Sequence, residues 1–274
     1  MSKDLTNLFD LAGKVAVVTG GTGIQGKRIT RGLAAHGAHI AVVDLDADTA
    51  KSQALEIANE YGVQALGISC NVADKSNVET MVAAVVDDLG KIDILHNNAA
   101  SKSDDPRDFF IPFEDFDFDV WRQVMSVNID GVFLVAQAVG KQMIKQGHGG
   151  SIIQTSSTYG LVGPDFGIYE GSEYMGCRIT TPAAYAASKG AVVQLTRYLA
   201  TYWGDKGIRV NTLVPGGIES GQNETFQKNY GARVPLGRMA DVDEMVGAVV
   251  YLASDASSYM TGQMIVVDGG WTAW

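Results

Sequence analysis

Seven short runs of apolar, mostly β-branched residues recur along the chain, separated by amphipathic stretches. The runs are residues 14–19 (KVAVVT), 39–44, 63–69, 92–97, 151–156, 208–214 and 263–268. Most are continuous rather than alternating, which is typical of strands covered on both faces. The pattern therefore predicts a seven-stranded parallel sheet with helices on both sides.

The intervening helices have predictable ends. Four glycines follow apolar-periodic stretches, where a left-handed residue often closes a helix; they are Gly37, Gly62, Gly90 and Gly147. A capping box from Ser76 to Glu79 is predicted to open the third helix. Since no linker or repeat interrupts the pattern, we expect one Rossmann-type, doubly wound α/β domain over residues 1–274.

Two segments lack this periodicity. Residues 101–119 are acidic and aromatic, and residues 159–182 form a long connection rich in glycine and tyrosine. Both follow strand ends at the edge where open α/β sheets bind ligands, so we expect substrate contact or, equally, subunit contact. Residues 217–235 are a candidate lid.

The composition of the chain argues against several classes of binding partner. The formal net charge of −10 disfavours nucleic acid and anionic membranes, and no apolar run approaches the length of a membrane span. The N-terminus lacks the apolar core of a signal peptide. Cys70 and Cys177 are too few for a disulfide framework or a cysteine metal site, so we expect a cytoplasmic protein without metal.

A glycine-rich turn, TGGTGIQG (residues 19–26), links the first strand to the first helix. Its spacing fits both G-x-G-x-x-G and T-G-x-x-G-x-x-G. In this context glycines allow a tight turn and close approach to a pyrophosphate at the helix N-terminus. A turn without ligand is the less favoured alternative.

Asp44 ends the second strand, 18 residues after Gly26. A carboxylate there accepts hydrogen bonds from the adenosine ribose hydroxyls and repels a 2′-phosphate. The residues that follow it are Leu45, Asp46, Ala47 and Asp48, with no basic side chain among them. The sequence therefore predicts NAD(H) over NADP(H), although Asp44 could instead cap the next helix, for which Asp46 and Asp48 are better placed.

A second set of motifs is distributed along the chain. Tyr185 and Lys189 form Y-x-x-x-K on a predicted helix, which places both side chains on one face. They are joined by HNNAA (96–100), SVN (126–128), SSTYG (156–160) and PG (215–216). Together these motifs resemble the short-chain dehydrogenase/reductase family along essentially the whole chain.

The resemblance implies four catalytic residues. Tyr185 would be the general acid/base, and Lys189 would bind the nicotinamide ribose and lower the pKa of Tyr185 by its charge. Ser157 would hydrogen-bond the substrate oxygen, with Ser156 the less favoured candidate. Asn128 would interrupt its helix and hold a water in a proton relay, or would only bond locally.

The resemblance also implies a cofactor site. The phosphates and ribose would meet Gly20, Thr22, Gly23, Ile24, Gln25, Asp44 and Leu45. Adenine would meet Asn71 and Val72, and the adenosine ribose Asn98, Ala99 and Ala100. The nicotinamide end would meet Tyr185, Lys189, Pro215, Gly216, Gly217 and Ile218.

Three positions depart from the family pattern. Ile24 replaces a glycine, so we expect Gly23 to make the close approach to the phosphates. Ala100 replaces a glycine, and Asn71 replaces the more usual aspartate. The glycine spacing resembles that of longer relatives that use NAD transiently, so a sugar-modifying lyase or isomerase is one alternative; a binding module without catalysis is another.

The substrate is expected to be a small, polyhydroxylated molecule: a sugar, sugar acid or polyol. Candidate contacts are Ser157, Tyr159, Tyr185 and Arg178, the last for a carboxylate or phosphate. Several motifs resemble enzymes of bacterial surface-carbohydrate and nonulosonate pathways. Trp271 and Trp274 on the terminus suggest burial at a subunit contact, and the family resemblance implies a homotetramer.

Overall fold

Seven parallel strands form the central sheet of the protein. The computed structural model describes residues 5–103 and 105–274. The strands of the sheet are β1 (Val15–Thr19), β2 (His39–Asp44), β3 (Ala65–Ser69), β4 (Ile94–Asn97), β5 (Gly150–Thr155), β8 (Ile208–Pro215) and β9 (Met264–Val267). Their order is β3-β2-β1-β4-β5-β8-β9. The predicted doubly wound α/β fold is confirmed, and each predicted strand is present within about two residues at either end.

Eight helices of at least two turns cover the described residues. They are α1 (Ile24–Ala35), α2 (Ala47–Tyr61), α3 (Lys75–Leu89), α4 (Phe118–Met125), α5 (Val132–Gln146), α6 (Ala183–Trp203), α7 (Glu224–Arg233) and α8 (Val246–Ala253). One core cluster joins the sheet to α3, α5 and α6. The other joins its opposite face to α1, α2 and α8. The molecule thus has three layers, and the strands are apolar on both faces because both are covered.

The glycine helix ends are confirmed. Gly62, Gly90 and Gly147 close α2, α3 and α5 in the left-handed conformation, and Gly37 follows the last turn of α1 at φ +93°. The predicted capping box is wrong. Asp74 caps α3, since its carboxylate accepts hydrogen bonds from the N–H groups of Ser76 and Asn77, and Ser76 therefore lies inside the helix.

Helix α4 continues into α5 through a wider turn at Ser126–Gly131. Among the described residues, the resulting stretch Phe118–Gln146 is the one long and apolar enough to cross a bilayer by length and composition. Val135, Val139 and Met143 on it have no exposed surface and pack in the core. An apolar composition is what a helix with one wholly buried face requires.

Residues 159–182, the inserted segment, form a small unit beside the sheet. It contains a short antiparallel hairpin of β6 (Glu173–Tyr174) and β7 (Cys177–Arg178). Asn229 of α7 donates hydrogen bonds to the carbonyl oxygens of Ile168 and Glu170. The candidate lid thus contains α7, which packs on the inserted segment.

The C-terminal tryptophans differ in their surroundings. Trp271 is 2% exposed and its indole stacks on Tyr230, with the ring centroids 4.8 Å apart. The expectation of a subunit contact is therefore wrong for Trp271, because its own chain buries it. Trp274 is 71% exposed, and its indole N–H donates to the carbonyl of Arg233.

Candidate active site

A cleft of about 780 Å³ opens at the carboxyl ends of the central strands. The strand order reverses between β1 and β4, and ligands of doubly wound folds bind at this point. Fourteen predicted cofactor residues line the cleft: Gly20, Thr22, Gly23, Ile24, Gln25, Asp44, Leu45, Asn71, Val72, Asn98, Ala99, Ala100, Tyr185 and Ile218. The structure thus brings together residues that are far apart in sequence.

The glycine-rich turn is compact where it meets α1. Gly20 has φ +62°, a conformation that favours glycine. A Cβ on Gly26 would lie 2.0 Å from the carbonyl oxygen of Gly20, so no side chain fits there. At Gly23 an added Cβ would come no closer than 3.3 Å to Gly20. The protein's own packing therefore requires Gly20 and Gly26, and Gly23 faces the open cleft.

Unpaired hydrogen-bond donors lie at the glycine-rich turn and the N-terminus of α1. Gly23 precedes the first residue of α1, and the first N–H groups of a helix have no partner within it. The side-chain nitrogen of Gln25 is buried without a partner among the described residues, and Gln25 lines the cleft. Unpaired donors at a helix N-terminus fit an anion such as a pyrophosphate.

Asp44 is held by its neighbours. One carboxylate oxygen accepts hydrogen bonds from the N–H of Thr22 at 2.9 Å and from its hydroxyl at 2.6 Å. The other accepts from the N–H of Leu45 at 2.8 Å. Asp46, as expected, is the residue that caps α2. Asp44 is thus free of a capping role and presents a fixed negative charge to the cleft.

The residues expected around adenine are partly engaged with their own turn. The side-chain oxygen of Asn71 accepts a hydrogen bond from the N–H of Ala73 at 3.0 Å. The Cys70 thiol beside it is buried, and burial raises its pKa to about 11, so it is a neutral wall of the cleft.

Asn98 braces the glycine turn against β4. Its side-chain nitrogen donates to the carbonyl oxygen of Thr19 at 3.2 Å. The Thr19 hydroxyl accepts from the N–H groups of Asn98 and Ala99 at 3.0 and 3.1 Å, and donates to Asn97. Thr19 therefore joins the two strands at the switch point. Thr19 was not among the site residues predicted from the sequence.

Tyr185, Ser157 and Lys189 lie together at the other end of the cleft. Helix α6 carries Tyr185 and Lys189 one turn apart, and Ser157 follows β5. The ammonium nitrogen of Lys189 lies 5.7 Å from the Tyr185 ring centroid and donates to the carbonyl oxygen of Thr155 at 3.1 Å. Ser156 is directed elsewhere, since its hydroxyl donates to the Lys189 carbonyl.

Burial shifts the pKa values of Lys189 and Tyr185 in opposite directions. It lowers the pKa of Lys189 to about 8. It raises the pKa of Tyr185, while a hydrogen bond with Ser157 acts in the opposite direction. The pKa of His96, buried beneath the site, falls to about 3, so this histidine is neutral. Desolvation thus dominates the pKa of Tyr185 in the protein alone, and the lowering of this pKa by Lys189 stays a prediction.

Asn128 lies in the wider turn between α4 and α5 and is fully buried. Its side-chain oxygen accepts a hydrogen bond from the N–H of Ser101 at 2.8 Å, and its nitrogen contacts the Ser188 hydroxyl at 3.5 Å. The expected interruption of the helix is present. Asn128 also ties the 101–119 segment to α6, next to Lys189.

The loop after β8 reaches the cleft through Ile218 and Ser220. Gly216 and Gly217 line a separate cavity of about 70 Å³ with Tyr230. The N–H of Gly216 donates to the Val267 carbonyl, and that of Gly217 to the Tyr230 hydroxyl. Pro215 is a buried residue of β8. Contact of Pro215, Gly216 and Gly217 with the cofactor stays a prediction, and β9 and α7 hold the backbone of the two glycines.

Aromatic side chains pack around Tyr185 and Ser157. The hydroxyls of Tyr159 and Tyr169 are 3.2 Å apart, and Tyr169 bonds to the Thr181 hydroxyl. Phe109 packs edge-on against Tyr185, with ring centroids 6.3 Å apart. Both long segments thus reach the Tyr185–Ser157 group, and Phe110 also contacts Tyr174 between them.

Arg178 lies outside this cleft. It pairs across the hairpin with Glu173 and lines a separate depression with Glu170. Its predicted role in substrate binding is not supported, because the hairpin gives it acidic neighbours in another pocket. The described cleft instead holds one cationic side chain on its lining, Lys102. Sequence reasoning missed this lysine because its segment has no periodicity.

Comparisons with known proteins agree with this geometry. A sequence profile described as short chain dehydrogenase matches residues 14–231. The chain is 35% identical to the D-threitol dehydrogenase of Mycolicibacterium smegmatis, over 96% of this chain and 95% of that protein. It is 37% identical to the NADP-dependent mannitol dehydrogenase of Hypocrea jecorina, over 98% and 96%.

A solved structure is similar over the same extent. The gluconate 5-dehydrogenase of Burkholderia cenocepacia, in complex with NADP and tartrate, has a TM-score of 0.86 at 35% identity, covering 98% of each chain. The sheet order, the glycine turn, the Tyr185–Lys189 pair and these matches lead to one assignment. The chain belongs to the short-chain dehydrogenase/reductase family and is an oxidoreductase that acts on CH–OH groups.

Proposed function

We propose that the protein interconverts a secondary alcohol and a ketone of a sugar, sugar acid or polyol, with NAD(H) as cofactor. One observation carries the proposal: Tyr185, Ser157 and Lys189 meet at one end of a cleft whose other end carries Asp44. The four predicted catalytic residues all lie at this end. The bound nicotinamide supplies the chemistry of accepting or returning hydride.

The chain's own residues would handle the proton. Tyr185 takes it from the alcohol oxygen in oxidation and returns it in reduction. Ser157, hydrogen-bonded to Tyr185, orients the substrate oxygen and stabilises charge on it. Lys189 binds a ribose hydroxyl and favours the phenolate of Tyr185 by its charge. Asn128, on the Lys189 side of Tyr185, holds the water through which the proton leaves.

The preference for NAD(H) rests on Asp44. Its carboxylate is oriented by hydrogen bonds from Thr22 and Leu45 and faces the cleft. No basic side chain among the described residues forms a salt bridge with it. A ribose 2′-phosphate would meet this charge, whereas ribose hydroxyls can donate to it. Two of the similar proteins are described with NADP, so this preference is proposed from the residues of this chain alone.

The substrate class rests on the side chains packed near Tyr185 and Ser157 and on the similar proteins. Tyr159, Tyr169 and Thr181 offer hydroxyls that both donate and accept, as a polyhydroxylated ligand requires. Phe109 and Phe110 add apolar surface for carbon–hydrogen faces. The D-threitol, mannitol and gluconate enzymes among the similar proteins act on molecules of this class.

A substrate screen tests the proposal. The purified protein is mixed with tetritols, pentitols, hexitols and aldonic acids, each with NAD⁺ and with NADP⁺, and absorbance of the reduced cofactor is followed. We expect net reduction of NAD⁺ with members of one group and weaker turnover with NADP⁺. Conversion of a sugar without net change in NAD(H) would instead identify the lyase or isomerase alternative.

A further inference from the structure

The backbone around Ile218 is fixed from both sides. The N–H of Gly217 donates a hydrogen bond to the Tyr230 hydroxyl, and the carbonyl of Gly217 accepts one from the N–H of Ala240 at 2.9 Å. The N–H of Glu219 donates to the Ala240 carbonyl, also at 2.9 Å. The peptide group that carries the Ile218 N–H therefore has one orientation.

This orientation leaves a donor for the cleft. Because Ala240 bonds to both neighbours of Ile218, the N–H of Ile218 points away from Ala240. Within the described part of the chain this N–H has no hydrogen-bond partner, and Ile218, like Tyr185, lines the cleft. An unpaired amide that is held rigidly is a good hydrogen-bond donor for a ligand carbonyl.

Tyr230 is itself held in place. It is 5% exposed, and its ring stacks on Trp271 with an interplanar angle of 20°. The Arg233 guanidinium lies over the other ring of this stack, 5.1 Å from the Trp271 centroid. The fit to the loop is close, since a Cβ on Gly217 would lie 2.5 Å from the Tyr230 ring. The C-terminal segment thus fixes the hydroxyl that holds Gly217.

We propose that Tyr230 is a positioning residue for the cofactor: braced by Trp271, it anchors the Gly216–Gly217 peptide and thereby the adjoining Gly217–Ile218 peptide, so that the Ile218 N–H receives the nicotinamide carboxamide. The inference rests on the proposed binding of NAD(H) in the cleft. Tyr230 does not line the cleft and acts only through these two peptides. Its contribution is therefore confined to the nicotinamide half of the cofactor.

The Tyr230→Phe variant tests this directly. It keeps the stack on Trp271 and removes only the hydroxyl that accepts from Gly217. NADH binding is measured by its fluorescence and ADP-ribose binding by calorimetry, since ADP-ribose lacks nicotinamide. Thermal melting monitors the fold, and Tyr259→Phe, at a fully exposed tyrosine, is the matched control.

We expect NADH binding by Tyr230→Phe to weaken about three- to tenfold, the loss of one neutral hydrogen bond, with ADP-ribose binding unchanged. Tyr259→Phe should bind both ligands as the parent protein does. Equal weakening for NADH and ADP-ribose, or parent-like NADH binding, would overturn the positioning role alone. Failure of the parent protein to bind either ligand would overturn both this inference and the proposed cofactor.

Discussion

The ammonium group of Lys189 lies 5.7 Å from the ring centroid of Tyr185, one helical turn away on α6. Both side chains are desolvated, which lowers the pKa of the lysine to about 8 and raises that of the tyrosine. Each charged form therefore gains from the other, because opposite charges interact strongly where water is excluded. The arrangement therefore implies that Tyr185 loses its proton more readily when Lys189 is charged.

Replacing Lys189 by methionine should shift alcohol oxidation to higher pH. In the proposed mechanism the active base is the Tyr185 phenolate, and loss of the cation should raise its pKa, so the rise of kcat/KM with pH should move upward by about one pH unit or more. The measurement is the pH profile of NAD⁺ reduction, with exposed Lys141→Met as control. An unshifted profile in Lys189→Met would contradict this role.

Ser157→Ala should lower turnover about 100-fold or more, because it removes a donor to the substrate oxygen. It also removes the hydrogen bond that lowers the pKa of Tyr185, so the oxidation profile should move to higher pH. Ser156→Ala is the matched control. Its hydroxyl bonds to the Lys189 carbonyl, so we expect a loss of about 1 kcal/mol in stability and little change in turnover. Similar losses of turnover in both variants would rule out a specific role for Ser157.

Asp44→Ala should weaken the preference for NAD⁺. Loss of the carboxylate removes charged hydrogen bonds to the ribose, which costs about tenfold or more in kcat/KM for NAD⁺, and it removes the repulsion of a 2′-phosphate, so NADP⁺ should improve. The comparison is Asp46→Ala, which removes the cap of α2 and should lower stability without touching the cofactor site. If Asp46→Ala altered the cofactor ratio as much as Asp44→Ala, our assignment of Asp44 would be wrong.

The strands were predictable because each is buried on both faces. Burial on both faces leaves a continuous apolar run that is visible in the sequence of the strand itself. The Y-x-x-x-K pair and Asp44 were equally visible because their spacing lies within one helix or one strand. The start of α3 could not be predicted from the local sequence. Both Asp74 and Ser76 can cap a helix, and only the start of α3 at Lys75 distinguishes them.

Long-range packing accounts for what the sequence did not reveal. Tyr230 meets Gly217 and Trp271 only after α7 folds over the end of the sheet, and neither contact leaves a periodic signal. The same packing places Gly216 and Gly217 on a separate cavity. The position of Arg178 outside the cleft was hidden for a similar reason, since its neighbours are determined by the hairpin register with Glu173.

The homotetramer stays a prediction. The described surface carries exposed aromatic side chains on two neighbouring helical regions, with Phe133 on α5 and the stacked pair Tyr198 and Tyr202 on α6. Exposed aromatic groups of this kind are typical of subunit contacts. Size-exclusion chromatography with light scattering at micromolar concentration should give four chains per particle. A monomer would contradict it.

The central claim is that Tyr185 transfers the proton while the rest of the cleft binds the cofactor. The most direct measurement compares the parent protein with Tyr185→Phe, for turnover of the preferred polyol or sugar acid and for NADH binding by fluorescence. We expect turnover to fall by about 100-fold or more with the NADH dissociation constant within about threefold of the parent. Turnover by Tyr185→Phe close to that of the parent protein would contradict the account.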